Sequence, residues 1–114
     1  MKPFALALAL LAAPAAAETF PEAQTHTFIC DGGAVLRIAF ISRGPDGYAV
    51  VERDGVLIPM RQLPAASGVF YVDFDEQAGW RWRGRGDEGF LARLAPDTSA
   101  EEVVVLDGCV STRR

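Results

Sequence analysis

Past Lys2 the sequence contains no lysine, and it has one histidine and two cysteines in 114 residues. Each scarcity excludes something. A single histidine with two distant cysteines fits no zinc-ligand spacing, so neither a metal nor any other cofactor is expected. His26 also lacks a nearby serine and acid in the sequence, so it is read as a solvated surface residue rather than part of a catalytic triad. With fifteen acidic residues and a calculated isoelectric point of 4.9, the chain lacks the basic surface that nucleic acid requires. Internal repeats, low-complexity tracts and long linkers are missing too, and one domain fills the available length. Beyond residue 13 there is no long apolar run, and no segment there has helical periodicity.

The first seventeen residues read differently from the rest. Lys2 is followed by the apolar stretch 4–13 and then by Ala15, Ala16 and Ala17, the order of a secretory signal with a small-residue cleavage site. The run is shorter than the roughly 20 residues that a membrane span needs. Cleavage after Ala17 is therefore expected, giving a periplasmic chain of residues 18–114. No cysteine stands at the cleavage point, so no lipid anchor is expected. That chain carries ten arginines and fifteen acidic residues, a formal charge of −5. An acidic surface suits a cationic partner through electrostatic steering, and it equally suits simple solubility. In an oxidising compartment Cys30 and Cys109 are expected to form one disulfide.

After a loose lead over 18–24, short apolar runs alternate with turn residues. Strands are expected at 25–30, 34–41, 48–53, 56–63, 68–75, 80–85, 88–94 and 102–106. Gly44-Pro45-Asp46-Gly47, Asp54-Gly55 and Gly86-Asp87 supply turn signals between them. Pro59 is expected to confine its strand to an edge or a bulge. Leu36, Ile38 and Phe40 share one face. Phe70, Val72 and Phe74 are expected to face the core, with Tyr71, Asp73 and Asp75 on the opposite side. Trp80 and Trp82 alternate with Arg81, Arg83 and Arg85. About eight short antiparallel strands make an all-β domain, and periodicity leaves barrel and sandwich both open. The arginine stripe reads as a solvated face paired with Asp73 and Asp75. The acids at 73–76 also suggest a weaker reading, a pair of hydrolytic carboxylates.

One set of motifs is more specific. Phe28-Ile29-Cys30-Asp31, then Ser67-Gly68-Val69-Phe70-Tyr71, then Trp82-Arg83-Gly84-Arg85-Gly86 and a closing Cys109 resemble the MliC/PliC family of C-type lysozyme inhibitors. The resemblance implies an eight-stranded antiparallel barrel that is not an enzyme and whose partner is a C-type lysozyme. It implies that Ser67 lies on a protruding loop that enters the lysozyme cleft, with Gly68 giving the backbone freedom. Arg85 stands where the family usually has lysine and would engage the cleft carboxylates, with Arg83 as the alternative. Tyr71 would brace the serine loop. Gly89 replaces a frequent alanine. Without the motif, Ser67 and Gly68 are ordinary turn residues. The contrasting function is a non-inhibitory periplasmic barrel that binds another envelope component. Edge strands leave monomer and homodimer both open.

Overall fold

The computed structural model describes residues 22–113, so the expected signal segment and its cleavage point lie outside the described residues. Eight strands run in chain order: β1 (Glu22–Ile29), β2 (Val35–Arg43), β3 (Asp46–Arg53), β4 (Val56–Leu63), β5 (Val69–Asp73), β6 (Trp80–Arg85), β7 (Glu88–Leu94) and β8 (Glu102–Ser111). Each pairs antiparallel with its sequence neighbours, and β8 returns to β1 to close a barrel. The closed barrel resolves the choice that periodicity left open. Two-residue turns carry three of the hairpins. Asp54 and Gly55 both have positive φ, as a type I′ turn requires, and they join the paired residues Arg53 and Val56.

Closure is uneven. β1 and β8 share only the pairs Phe28–Ser111 and Ile29–Val110. The Thr112 N–H donates to the Thr27 carbonyl at 2.9 Å and extends the seam slightly. Beside it, the disulfide Cys30–Cys109 forms as expected. β8 is longer than the sequence suggested. Two register shifts against β7 let it continue through Asp107 and Gly108, which read as a strand end. Gly108 has φ of +60°, and the Asp31 carboxylate sits where a Cβ would stand. β1 likewise begins at Glu22, within the segment expected to be a loose lead.

Leu36, Ile38, Val51, Met60, Trp82 and Leu91 are fully buried in the barrel interior. Burial of each such side chain is worth about 1.5–3 kcal/mol before entropy is counted. The expected inward face of β2 holds, with Phe40 nearer the barrel mouth.

β5 faces the other way from the sequence expectation. Tyr71 and Asp73 are buried, whereas Phe74 is 53% exposed and Phe70 lies outside beneath Arg83; of the expected core face only Val72 is buried, and it lies apart from the interior cluster. The cause is register. Tyr71 pairs with Trp82, and directly paired residues share a face. Both sets of alternating residues in this strand contain aromatics, so alternation alone could not choose. Trp80, on the same face of β6 as Trp82, is only partly buried, packed against the core between the Arg53 and Arg93 guanidiniums.

Pro59 lies on neither an edge nor a bulge. β4 is paired with both β3 and β5, and Pro59 sits opposite Val50. Its carbonyl accepts from the Phe74 N–H at 3.2 Å, one residue beyond the end of β5. Its missing N–H therefore points to a position where the neighbouring strand has already ended.

Candidate functional site

The loop between β4 and β5 carries Pro64, Ala65, Ala66, Ser67 and Gly68, all short or compact side chains. Ser67 is exposed. Gly68 has φ of +70°, and a Cβ there would lie 2.2 Å from the Gly84 carbonyl oxygen and 3.4 Å from the Arg85 Cα. Only glycine lets the loop backbone come this close to β6. The contact brings two distant motifs together. Ser67 and Arg85 line one open groove on the barrel rim, with Gly84, Gly86 and Phe90 between and beside them.

Three arginines alternate along β6, and their surroundings differ. Arg83 donates from Nε and Nη2 to the two Glu102 carboxylate oxygens at 3.0 and 2.7 Å, while its guanidinium lies 3.8 Å from the Phe70 ring centroid. Arg81 Nη1 adds a third bond to Glu102 at 3.2 Å. The Arg83 hydrogen bond, reinforced by both positive charges, holds the Glu102 carboxyl below the usual range for Glu. The same bond raises the Arg83 pKa further. Arg85 is exposed at the rim and makes no ion pair among the described residues, although Glu88 is its cross-strand neighbour.

The stripe was expected to pair with Asp73 and Asp75; Arg81 and Arg83 pair instead with Glu102 of β8, two strands away across β7. The two aspartates cap the turn between β5 and β6. Asp73 accepts from the Asp75 and Trp80 N–H groups at 2.8 and 3.4 Å, and Asp75 accepts from those of Gln77 and Ala78. Asp73 is buried and its two oxygens are occupied by backbone donors, the arrangement of a turn cap. Among the described residues, no group of three His, Cys, Asp or Glu side chains could hold a metal ion.

Tyr71 lies inside the barrel, two residues from the loop, with its ring 5.6 Å from that of Phe40. Burial pushes its phenol pKa up, so the ring stays neutral. His26 was expected on the surface and is instead half-buried on β1. It packs against Phe28 and Phe40, and Nδ1 lies 3.1 Å from Ser111 Oγ. Its inward place follows from alternation: it stands two residues before buried Phe28 and opposite buried Ile38.

A family profile described as "Membrane-bound lysozyme-inhibitor of c-type lysozyme" matches residues 28–99, more than half of the chain. Two solved structures are similar in fold. One is the periplasmic lysozyme inhibitor of C-type lysozyme PliC-St from Salmonella typhimurium, at 21% identity and a TM-score of 0.66, covering 80% of this chain and 99% of that one. The other is Pseudomonas aeruginosa MliC in complex with hen egg white lysozyme, at 18% identity and a TM-score of 0.61, covering 95% of this chain and 99% of that one. No curated protein sequence matches the chain.

Proposed function

The chain belongs to the MliC family of C-type lysozyme inhibitors, and from that premise we propose that it blocks the catalytic cleft of a C-type lysozyme in the periplasm with the Ser67 loop and Arg85. The observation that carries the reading is the Gly68–Gly84 approach, which puts an exposed hydroxyl and an unpaired cation on one rim.

The chemistry suits the target. A lysozyme cleft holds one protonated and one ionised carboxyl group. The Ser67 hydroxyl can accept from the first and donate to the second. Arg85 adds a positive charge and a planar fork able to bind a carboxylate through two hydrogen bonds, where a lysine would offer a single point charge. Small neighbours at Ala65, Ala66 and Gly68 keep the loop narrow enough for a groove. Tyr71 supports it from within, through packing rather than contact. The net negative charge of the domain favours encounter with a cationic enzyme.

The test is a cell-wall lysis assay in which oxidised 18–114 protein is titrated into a C-type lysozyme. Stoichiometric loss of lysis is expected. Ser67→Ala should weaken inhibition by about thirtyfold, roughly 2 kcal/mol for a desolvated central contact, with thermal unfolding unchanged. Full activity of the lysozyme at a large excess of folded, oxidised protein would overturn the reading and leave a barrel that binds another envelope component.

A further inference from the structure

The barrel interior is filled at one end and open at the other. Inward-facing positions of β1 run Glu22, Gln24, His26 and Phe28 from mouth to depth, and those of β2 run Ser42 and Phe40. β5, β6 and β7 contribute Val69, Tyr71, Trp82, Gly84, Gly86 and Glu88 to the same cavity, which holds about 270 Å³ and opens to solvent. The glycines Gly84, Gly86 and Gly89 keep it open. A Cβ at Gly84 would lie 2.9 Å from Trp82 Nε1, and one at Gly89 would lie 2.4 Å from the Trp82 ring. The indole occupies that space and forms part of the floor.

Four aromatic rings line the deeper wall. Phe28 and Trp82 have centroids 4.9 Å apart, and Phe40 and Tyr71 are 5.6 Å apart. The charged lining groups are Glu22 and Glu88, both exposed at the mouth, and the titratable groups beside them are His26 and Tyr71; no arginine lines the cavity. Arg85 lines the outer groove, and Glu88, its cross-strand neighbour, lines both. Polarity is thus ordered along the cavity axis, with aromatic surface inside and negative charge at the entrance.

We propose that this mouth is a binding site for a small organic cation, an ammonium group on an aromatic or aliphatic body, which lies body-inward on the rings with its charge at Glu22 and Glu88. The aromatic faces favour both an apolar body and a nearby cation. Barrel mouths are frequent ligand sites, and the volume suits a molecule of one ring with a short amine arm rather than a larger ligand. The mouth adjoins the Ser67–Arg85 groove and shares Val69, Gly84, Gly86 and Glu88 with it, but Glu22 and the four rings belong to the mouth alone, and the proposal does not depend on lysozyme inhibition.

The probe is phenethylamine, with 3-phenylpropionate as its anionic counterpart, titrated into uniformly ¹⁵N-labelled oxidised protein. The two tryptophan side-chain N–H signals provide a built-in control, because Trp82 floors the cavity whereas Trp80 lies at the opposite end of β6. Saturable movement of the Trp82 signal with a still Trp80 signal is expected. Phenylpropionate should bind about tenfold more weakly, and Glu22→Gln with Glu88→Gln should erase that preference without unfolding the domain. An unsaturable response, equal affinity for the two probes, or a preference retained in the double variant would overturn the proposal. The same ammonium chemistry is offered by a lysine side chain of a docked protein. Glu22 lies outside the Ser67–Arg85 groove, so the two sources separate there: lysozyme binding unaffected by Glu22→Gln assigns the site to a free ligand, and lysozyme binding weakened by Glu22→Gln assigns it to a protein side chain and overturns the free-ligand proposal.

Discussion

Arg83 and Arg85 stand two residues apart on the same strand, project to the same side and carry the same charge, yet they do different work. Arg83 is held by Glu102 in a two-pronged pair and covers Phe70, so it fastens β6 to β8 across β7. Arg85 lies where the strand reaches the rim and Glu102 is out of range. The difference teaches that a charge stripe on a sheet face has no uniform meaning. What matters is the cross-strand neighbour that each position meets, and the register decides that.

The largest expected effect acts on both arginines together. Replacing the disulfide with Cys30→Ala and Cys109→Ala releases a loop of 79 residues beside a seam of only two strand pairs. The chain-entropy argument puts the loss at about 4.5 kcal/mol. Denaturant titration of oxidised wild type and the double variant measures it. A loss below about 1 kcal/mol would mean that the short β1–β8 seam closes the barrel unaided, and that the clamp at Glu102 needs no covalent support.

The next effect separates the pair. Arg85→Ala should weaken lysozyme inhibition by about thirtyfold, close to 2 kcal/mol, while stability stays within about 0.5 kcal/mol. Arg83→Ala should do the reverse, lowering stability by about 1 kcal/mol through the lost pair and ring contact and leaving inhibition near wild type. Lysis assays and melting curves on the two variants give the four numbers. If Arg83→Ala abolished inhibition and Arg85→Ala did not, the roles assigned along β6 would be exchanged.

Much of this was legible from sequence. Asp54-Gly55 and Gly86-Asp87 marked hairpins because their turns need particular backbone angles, and strand 56–63 emerged with its observed bounds. The cysteine pair followed from compartment and count. The motifs Ser67-Gly68 and Arg85 pointed to one site, but only the structure brings them within one groove, because the close approach of Gly68 to Gly84 depends on β5–β6 pairing. The facing of β5 was illegible for a related reason: Phe70, Tyr71 and Phe74 put aromatics on both of its faces, and the choice rests with Trp82 on the next strand. Glu102 escaped notice as the partner of Arg81 and Arg83 because β8 is nineteen residues downstream of Arg83 and offset by two register shifts. Local alternation carries no information about such a pairing.

The smallest expected effect tests the electrostatic half of the clamp. The Glu102 carboxyl titrates below its unfolded value chiefly because Arg83 donates to it, with Arg81 adding to the attraction. A carboxyl depressed on folding stabilises the native state while the unfolded form is also ionised. That contribution begins to fall as pH drops toward the ordinary Glu value, about 4.3, and is lost once pH passes below the folded value. Glu102→Gln preserves size, removes the charge and leaves one acceptor oxygen in place of two for the arginines. It should therefore cost about 1 kcal/mol near pH 7, a modest figure because the arginines are partly solvated, and the gap to wild type should narrow as the solution is acidified. Denaturant midpoints across an acid series read this directly. A gap that stayed constant down to strongly acid pH would assign the contribution of Glu102 to shape and hydrogen bonding, and the contrast between Arg83 and Arg85 would then rest on packing over Phe70 rather than on charge.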